Sequence, residues 1–393
     1  MSIFKIDRTF IEALHERLEE LRKHYLAGHY SSEDTPTIEQ LEEIISTMVW
    51  ASTQHEEGRL SRFAIAFAKP SLLDFLALSF DVPKRLSTEE LRKLAPAVLP
   101  RDGRIMVWPN SETKLLEICG LQTSGSGSSV TFRVLDSGRL IISFPLDSIV
   151  AEVTGTRAGF ISSDWNNEGL RMMAPKLSSE MLGEALSYFS IHVTQQILGR
   201  MRLLGHGGTV VFVQDDNRWQ RSVDRPIFYE CNQNLNEFER IIDSFKGALA
   251  PKAGDDVMPA ALDLIGSPIY QRFISDAARS IAYMSAVDGA VVLNGIFSVL
   301  AFGVKLKAVK SRSRSSTVEM VTRISPFEDV PPSDVALDDE FRGTRHLSAA
   351  RFVLSNPSAI AFVVSQDGGI TGLMVEPDSS KKLLAIKSME LLL

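Results

Sequence analysis

The stretch from Ala290 to Val304 is the longest apolar run in the chain, and it constrains the fold more than any other feature. It is too short to cross a bilayer, which takes about 20 apolar residues. Asn294-Gly295 interrupts it, and that dipeptide between apolar segments is a strong hairpin signal. The run therefore predicts two buried strands joined by a tight turn. Strands that are apolar on both faces need cover on both faces, so helices are expected on either side of the sheet.

The neighbouring sequence supplies those helices. A long helical pattern from about Ser178 to Leu204 stops at Gly205, a residue suited to a helix C-terminus. Gly207-Gly208-Thr-Val-Val-Phe-Val213 reads as a buried strand. Helical periodicity returns over Asn236–Gly247, Ile269–Met284 and Thr344–Leu354. Strands are predicted over Ala359–Ser365 and Ile370–Val375, and a short closing helix over Leu383–Leu393. The class expected for residues 178–393 is α/β, a mixed β-sheet flanked by helices.

The first half reads as a smaller α+β domain. Phe10, Leu14, Leu18 and Leu21 recur at helical spacing within Thr9–Tyr25. Thr37-Ile-Glu-Gln40 has the form of a capping box that opens a second helix. Further helices are predicted over Ser61–Ala68, Pro70–Leu78 and Thr88–Leu94, which makes residues 1–100 a helical region. From Asp102 the pattern changes. Ile105–Trp108, Lys114–Leu121, Ser129–Val134, Leu140–Phe144 and Ile149–Val153 are short and rich in β-branched residues, with turns such as Asp136-Ser-Gly138 between them. Residues 101–170 are expected to form an antiparallel meander. Ser124-Gly-Ser-Gly-Ser-Ser129 is not followed by Lys-Ser/Thr or a helix, so it reads as a hairpin loop and not as a phosphate-binding loop.

A chain of 393 residues exceeds one ordinary domain. The net charge of -7 argues against wrapping a nucleic acid, whose binders present Lys and Arg to phosphates. Cys119 and Cys231 form no CxxC pair and read as free buried thiols. With no signal peptide in Met1–Asp7, a cytoplasmic, non-membrane protein is expected. His15, His24, His29, His55 and His192 show no metal-like grouping, and the four tryptophans are scattered as core residues are.

Two segments carry candidate chemistry. Asp288-Gly289-Ala290 places a carboxylate directly before a core strand, with Gly289 allowing a close backbone approach. Alone, it fits either a structural turn or a ligand site. In Gly343-Thr344-Arg345-His346 a helix begins on residues that suit phosphate: free N–H groups at the N-terminus, a hydroxyl, a planar guanidinium and an imidazole. Alone, Thr344 could equally be a helix cap beside solvated Arg345 and His346.

Together, the Asp-Gly-Ala strand start and the later Gly-Thr-Arg-His-x-x-Ala-Ala350 helix resemble the two motifs of the bacterial diadenylate cyclase (DAC) domain. His206–Val213, Phe297–Leu306 and Ala361–Gln366 are similar to its other strands in the same order, so the resemblance covers roughly Met181–Val375. It implies an enzyme that condenses two ATP into cyclic di-AMP with Mg²⁺ or Mn²⁺. By resemblance, Asp288 binds the metal and activates the ribose 3′-hydroxyl. Gly289 and Ala290 border the nucleotide and the backbone near Leu306 reads the adenine. Gly343, Thr344, Arg345 and His346 hold the triphosphate, with Ser365 near the phosphates. Each chain presents one nucleotide, so a homodimer or larger homo-oligomer with facing sites is implied. The N-terminal part resembles, by position, a variant sensor module (DACNV-like) with an unknown ligand.

The sequence also departs from the family. Leu347 stands where Arg-His-Arg is common, Val287 replaces a frequent His, and Ser355-Asn-Pro-Ser358 replaces a Ser-Glu pair. A basic loop with Lys305, Lys307, Lys310, Arg312 and Arg314 lies between the motifs. These departures admit two alternatives: a degenerate domain that senses a nucleotide without turnover, and a related cyclic-dinucleotide synthase using another nucleotide.

Overall fold

The computed structural model describes residues 6–25, 35–56, 59–60, 62–68, 77–98, 103–122, 129–144, 148–155, 157–174, 183–214, 218–224, 226–228, 237–249, 260–261, 264–265, 267–307, 319–376 and 382–393. The chain divides into two compact units: Met1–Ile161 with Phe327–Asp329, and Ser162–Pro326 with Val330–Leu393. The architecture is mixed α/β, with two mixed sheets flanked by helices.

In the first unit, α1 (Arg8–Tyr25) and α2 (Ile38–Thr53) turn apolar stripes onto a sheet. Ile11, Leu14, Leu18, Leu41, Ile44 and Met48 are all buried in one core. The capping box at α2 forms as the sequence predicts. Gln40 N–H donates to Thr37 Oγ1 at 3.3 Å, and Thr37 N–H donates to Gln40 Oε1 at 2.9 Å. A short hairpin of β1 (His55–Glu56) and β2 (Arg59–Leu60) comes next, and α3 (Thr88–Leu94) is capped by Ser87.

The unit's sheet has eight strands. They are β3 (Ala64–Phe67), β4 (Ala77–Arg85), β5 (Arg104–Pro109), β6 (Leu116–Gln122), β7 (Val130–Asp136), β8 (Arg139–Phe144), β9 (Ser148–Thr154) and β10 (Ala158–Phe160), in the order β10-β9-β8-β7-β3-β5-β6-β4. Here the helix expected at Ser61–Ala68 is corrected, and the one expected at Pro70–Leu78 falls mostly outside the described residues. All four residues of β3 are buried, and the strand pairs antiparallel to β7 and parallel to β5. A run this short, closed on both sides, fills a central strand better than it could form a helix. Residues 69–76 lie outside the described residues. Strand β4 begins at Ala77, and its Pro83 sits on an edge strand, where a missing N–H is tolerated. The expected meander survives as β7-β8-β9-β10, but β3 joins it to the rest, so residues 1–100 and 101–161 share one sheet and one core. Residues 124–128 of the Ser124–Ser129 loop are outside the described residues. Cys119 is a buried free thiol, its pKa pushed up to about 11 by burial; Cys231 is not among the described residues.

In the second unit, α4 (Ser163–Met173) and α5 (Gly183–Leu204) precede β11 (Gly208–Phe212). Strands β12 (Val223–Asp224), β13 (Ile227–Phe228), β14 (Ala290–Leu293), β15 (Val299–Leu306), β16 (Met320–Ile324), β17 (Ser333–Ala336), β18 (Ile360–Val364), β19 (Ile370–Val375) and β20 (Leu383–Ile386) complete the sheet. Their order is β12-β15-β14-β11-β18-β19-β20-β16-β17, with β13 also on β15. Among the described residues of this sheet, only β11–β14 and β16–β20 pair in parallel.

The Asn294 turn forms as predicted: its Oδ1 accepts the N–H groups of Ile296 and Ser298 at 3.2 and 2.9 Å. Strand alternation then sorts the core. Val211, Val292, Ala361 and Leu373 face the helix Thr344–Ser355, which buries Ala349, Ala350, Phe352 and Val353. The other face packs on α4, α5 and the helix Pro268–Ser285. The helix expected over Leu383–Leu393 is corrected. Leu383–Ile386 forms β20, fully buried between β19 and β16, and only Met389–Leu392 turns into a 3₁₀ helix. Among the described residues no helix is long and apolar enough to cross a membrane.

Thr37→Ala removes the capping-box bond from Gln40 N–H to Thr37 Oγ1 and keeps the one donated by the Thr37 backbone. It is expected to destabilise the first unit by about 1 kcal/mol, read as a lower urea midpoint with an unchanged m-value.

Candidate functional site

Four strands bring their ends to one edge of the second sheet. Thr209 of β11 pairs with Ala290 of β14, Gly208 with Val364 of β18, and Ala290 with Val304 of β15. Carried outward by one or two residues, these registers align Leu306, Asp288, Gly207 and Ser365 in one row. Neighbouring strands lie about 4.8 Å apart, so the row spans roughly 14 Å. Residues far apart in the sequence are thus delivered to one place by topology.

Gly289 fixes the middle of the row. Its φ is +126°, and a Cβ there would lie 2.5 Å from the carbonyl carbon of Gly303 and 2.7 Å from Val304 N. Only glycine has both this conformation and this clearance. Asp288, just outside, is exposed and makes no ion pair or hydrogen bond among the described residues. Ala290 points inward, in the same buried cluster as Ala349 and Ala350. Leu306 is half-buried against that cluster and pairs with Val223 of β12. Ser365 opens the turn between β18 and β19, donating its N–H to Gly369 O at 2.8 Å and accepting from Gly368 N at 3.1 Å.

Arg345 reaches the row from the helix Thr344–Ser355. Its Nη1 approaches the His206 carbonyl at 3.5 Å, and a Cβ on Gly207 would come within 2.6 Å of that nitrogen. Gly207, at φ +65°, therefore makes room for the guanidinium at the foot of β11. The sequence identified this glycine only as part of a strand start. Its Gly-Gly pair was the available signal, and its role depends on Arg345, which is distant in sequence.

Gly343 is the N-cap, with no side-chain capping bond, and Thr344 is the first helical residue. Thr344 as the cap is thereby corrected: the hydroxyl is not used to close the helix start. The first-turn N–H groups lack a side-chain acceptor and lie at the positive end of the helix dipole. Thr344 and Arg345 are both exposed there.

His346 is half-buried and stacks on Phe341, with ring centroids 5.8 Å apart and planes 11° from parallel. Burial holds its pKa below the ordinary 6.5. The Lys387 and Arg345 charges push the same way, while Asp367 and Glu340 oppose them. The ring is therefore neutral near pH 7, with one N–H to donate and one free nitrogen.

Asp288 is the one carboxylate of the row. Among the described residues no three His, Cys, Asp or Glu side chains cluster as a metal cage. Mg²⁺ is commonly held by one or two carboxylates together with substrate phosphates and water. The donor set fits an ion that arrives with a nucleotide. Of the basic loop, Lys307 pairs with Asp224 at 2.9 Å and Lys305 is exposed; Lys310, Arg312 and Arg314 lie outside the described residues.

Two of the residues that depart from the DAC pattern have structural roles. Leu347 packs against the core of the second unit. Asn356 caps its helix and donates to Phe352 O at 2.9 Å and to Ser222 Oγ at 3.1 Å.

Residues 30–123 match the family model described as a probable sensor domain, DACNV. The match lies within the first unit, runs from before α2 to just past β6, and covers none of the second unit. It supports a sensor module at the N-terminus. No curated protein matches the chain.

Two outcomes are expected from this geometry. Gly289→Ala combines a left-handed backbone with a backbone clash and is expected to cost about 2 kcal/mol or more of stability, measured by denaturant unfolding of the second unit. His346 has a folded pKa below its unfolded one, so the unfolded chain takes up the proton first. Its contribution is complete above pH 6.5 and is lost as the pH falls from there through the folded value. His346→Gln should flatten that part of a stability profile collected between pH 5 and 8.

Proposed function

We propose that the second unit binds ATP along this edge and condenses two ATP into cyclic di-AMP, releasing two pyrophosphates, under control of the N-terminal sensor module. The observation that carries the reading is the convergence of Leu306, Asp288, Gly207 and Ser365 in one row, with Arg345 bonded into it. Both halves of the DAC resemblance lie at that edge.

The row suits a nucleotide laid across the strand ends. The backbone by Leu306 would meet the base at one end. The uncapped helix start, Thr344, Arg345 and neutral His346 would take the phosphates at the other. A guanidinium matches phosphate geometry with two parallel donors, and backbone N–H groups add charge neutralisation without reorganising. Asp288 stands between them. It carries no ion pair among the described residues, so it is available to accept the proton of a ribose 3′-hydroxyl.

In the reaction the 3′-oxygen of one ATP bonds to the α-phosphorus of the other, and the bond from that phosphorus to pyrophosphate breaks. The hydroxyl proton passes to Asp288 and on to solvent. A divalent ion, Mg²⁺ or Mn²⁺, would supply charge neutralisation at the phosphates when bound, with Asp288 as its protein ligand. Each chain holds one nucleotide, so two chains must face each other with their sites opposed.

One observation favours a second reading. Leu347, where the family often has a phosphate-facing Arg, is half-buried and packs against the core. A chain that lost this contact and kept the rest of the row would be a nucleotide sensor without turnover.

Incubation with ATP and Mn²⁺, followed by mass spectrometry, separates the two. Cyclic di-AMP is the expected product, and Asp288→Asn should lower its formation by about a hundredfold or more while leaving the circular dichroism spectrum unchanged. ATP binding with no product under either metal would favour the sensor. Mixed nucleotides in the same assay report base preference.

A further inference from the structure

Helix α4 begins at Ser163, immediately after the main span of the first unit ends, and is keyed tightly into the second unit. A Cβ on Gly169 would lie 2.6 Å from Leu392 Cδ1. One on Gly372 would lie 2.3 Å from the sulfur atoms of both Met172 and Met389. Thr194 of α5 donates to Met173 O at 2.9 Å. The buried Trp165 donates its indole N–H to the carbonyl of Lys387 at 2.8 Å.

Lys387 is held from the other side too. Its N–H donates to Ile324 O at 3.1 Å, and the next residue, Ser388, has φ +57°. These bonds anchor the backbone from which the Lys387 side chain extends. Lys387 Nζ lies 2.6 Å from Glu340 Oε1 and 4.9 Å from the centre of the Phe341 ring. Glu340 is almost fully buried, and its other cation, Arg323, stands 3.9 Å away. A buried carboxylate depends on its close partner, so Lys387 determines where Glu340 settles. Phe341, next in sequence, is 2% exposed and stacks on His346 at the start of the Thr344–Ser355 helix.

We propose that Lys387 is a positioning residue for the nucleotide site: it transmits the seat of Trp165 on α4, through Glu340 and Phe341, to the ring of His346. The proposal rests on the nucleotide reading for the role of His346, though not for the line of contacts. It places the first helix of the second unit in mechanical register with the phosphate end of the row. A shift of α4 would move Lys387, loosen the Glu340 pair and release the ring. Neither family motif contains Lys387, and it lies well past both in sequence.

The charged groups facing His346 are Lys387 and Arg345, which are cationic, and Glu340 and Asp367, which are anionic. The test is an NMR titration of His346 in ligand-free, [¹³C]histidine-labelled full-length chain, assigned with His346→Gln. Lys387→Met should move the His346 midpoint up toward the ordinary 6.5, and Lys387→Arg should return it most of the way. Trp165→Phe changes no charge, so a purely electrostatic effect of Lys387 predicts no movement there. The positioning line predicts an altered midpoint and line shape. A His346 titration unmoved in folded Lys387→Met, or moved there but unmoved in folded Trp165→Phe, overturns the proposal. Should Trp165→Phe not fold, Trp165→Tyr keeps the buried ring and replaces it.

The second arm measures binding of α,β-methylene-ATP with Mn²⁺, expected to weaken about fivefold or more in Lys387→Met. Unchanged affinity in that variant overturns the proposal as well. The two readings fail separately. A wild-type chain that binds no nucleotide, yet whose His346 responds to both substitutions, removes the nucleotide reading and leaves the line of contacts. A chain that binds nucleotide with an unresponsive His346 does the reverse.

Discussion

The backbone of Gly289 lies against the Gly303–Val304 peptide so closely that no side chain could stand between them. That contact sets the rest of the candidate site. It starts β14 at a defined point, so that Asp288 lies at the sheet edge and not within the core. It also brings β15 in, so that Leu306 finishes level with Asp288. Desolvating a carboxylate costs several kcal/mol unless it is paired. One residue further inward, Asp288 would meet that cost; at the edge it stays hydrated and available. Gly207 repeats the device on the neighbouring strand, where the missing Cβ admits the Arg345 guanidinium. Two glycines thus position the two charged groups on which the proposed chemistry relies.

How far the sequence revealed this depends on whether the signal was local. The Asn294-Gly295 turn, the Thr37 capping box and the Gly205 helix stop all depend on a few adjacent residues, and all are legible in the sequence. The α/β class comes from a doubly apolar hairpin. β3 and β20 read as helical because short apolar runs carry no decisive period. What makes them strands is pairing: β3 with the distant β5 and β7, and β20 with the adjacent β19 and the distant β16. The site shows the same division. Asp288 and Arg345 are visible as motifs, while Gly207, Phe341 and Lys387 matter only through partners that the fold supplies.

The site also shows how one side chain can serve two neighbours. Lys387 neutralises Glu340 and lies over the face of Phe341, an arrangement open to a cation on a flexible stem. His346 is half-buried, and the Lys387 charge adds to that burial in keeping the ring neutral. Arrival of a phosphate would add negative charge beside that ring and favour its protonated form. On the proposed reading, the imidazole would respond to a phosphate by charge as well as by contact.

The boundary between the two units is not a point on the chain. After Pro326 the chain enters the first unit for three residues and then returns. Within that unit Phe327 lies under the Arg157 guanidinium at 3.9 Å and pairs with Ile161, while Glu328 bonds Arg17 at 2.8 Å. A cut after Ile161 would therefore separate neither unit cleanly. The first would lose the residues that close over Arg157 and Arg17, and the second would carry an apolar ring stripped of its cover. In evolutionary terms, the two halves cannot be exchanged as beads on a string. A first unit replaced in this chain would have to bring a new seat for Phe327.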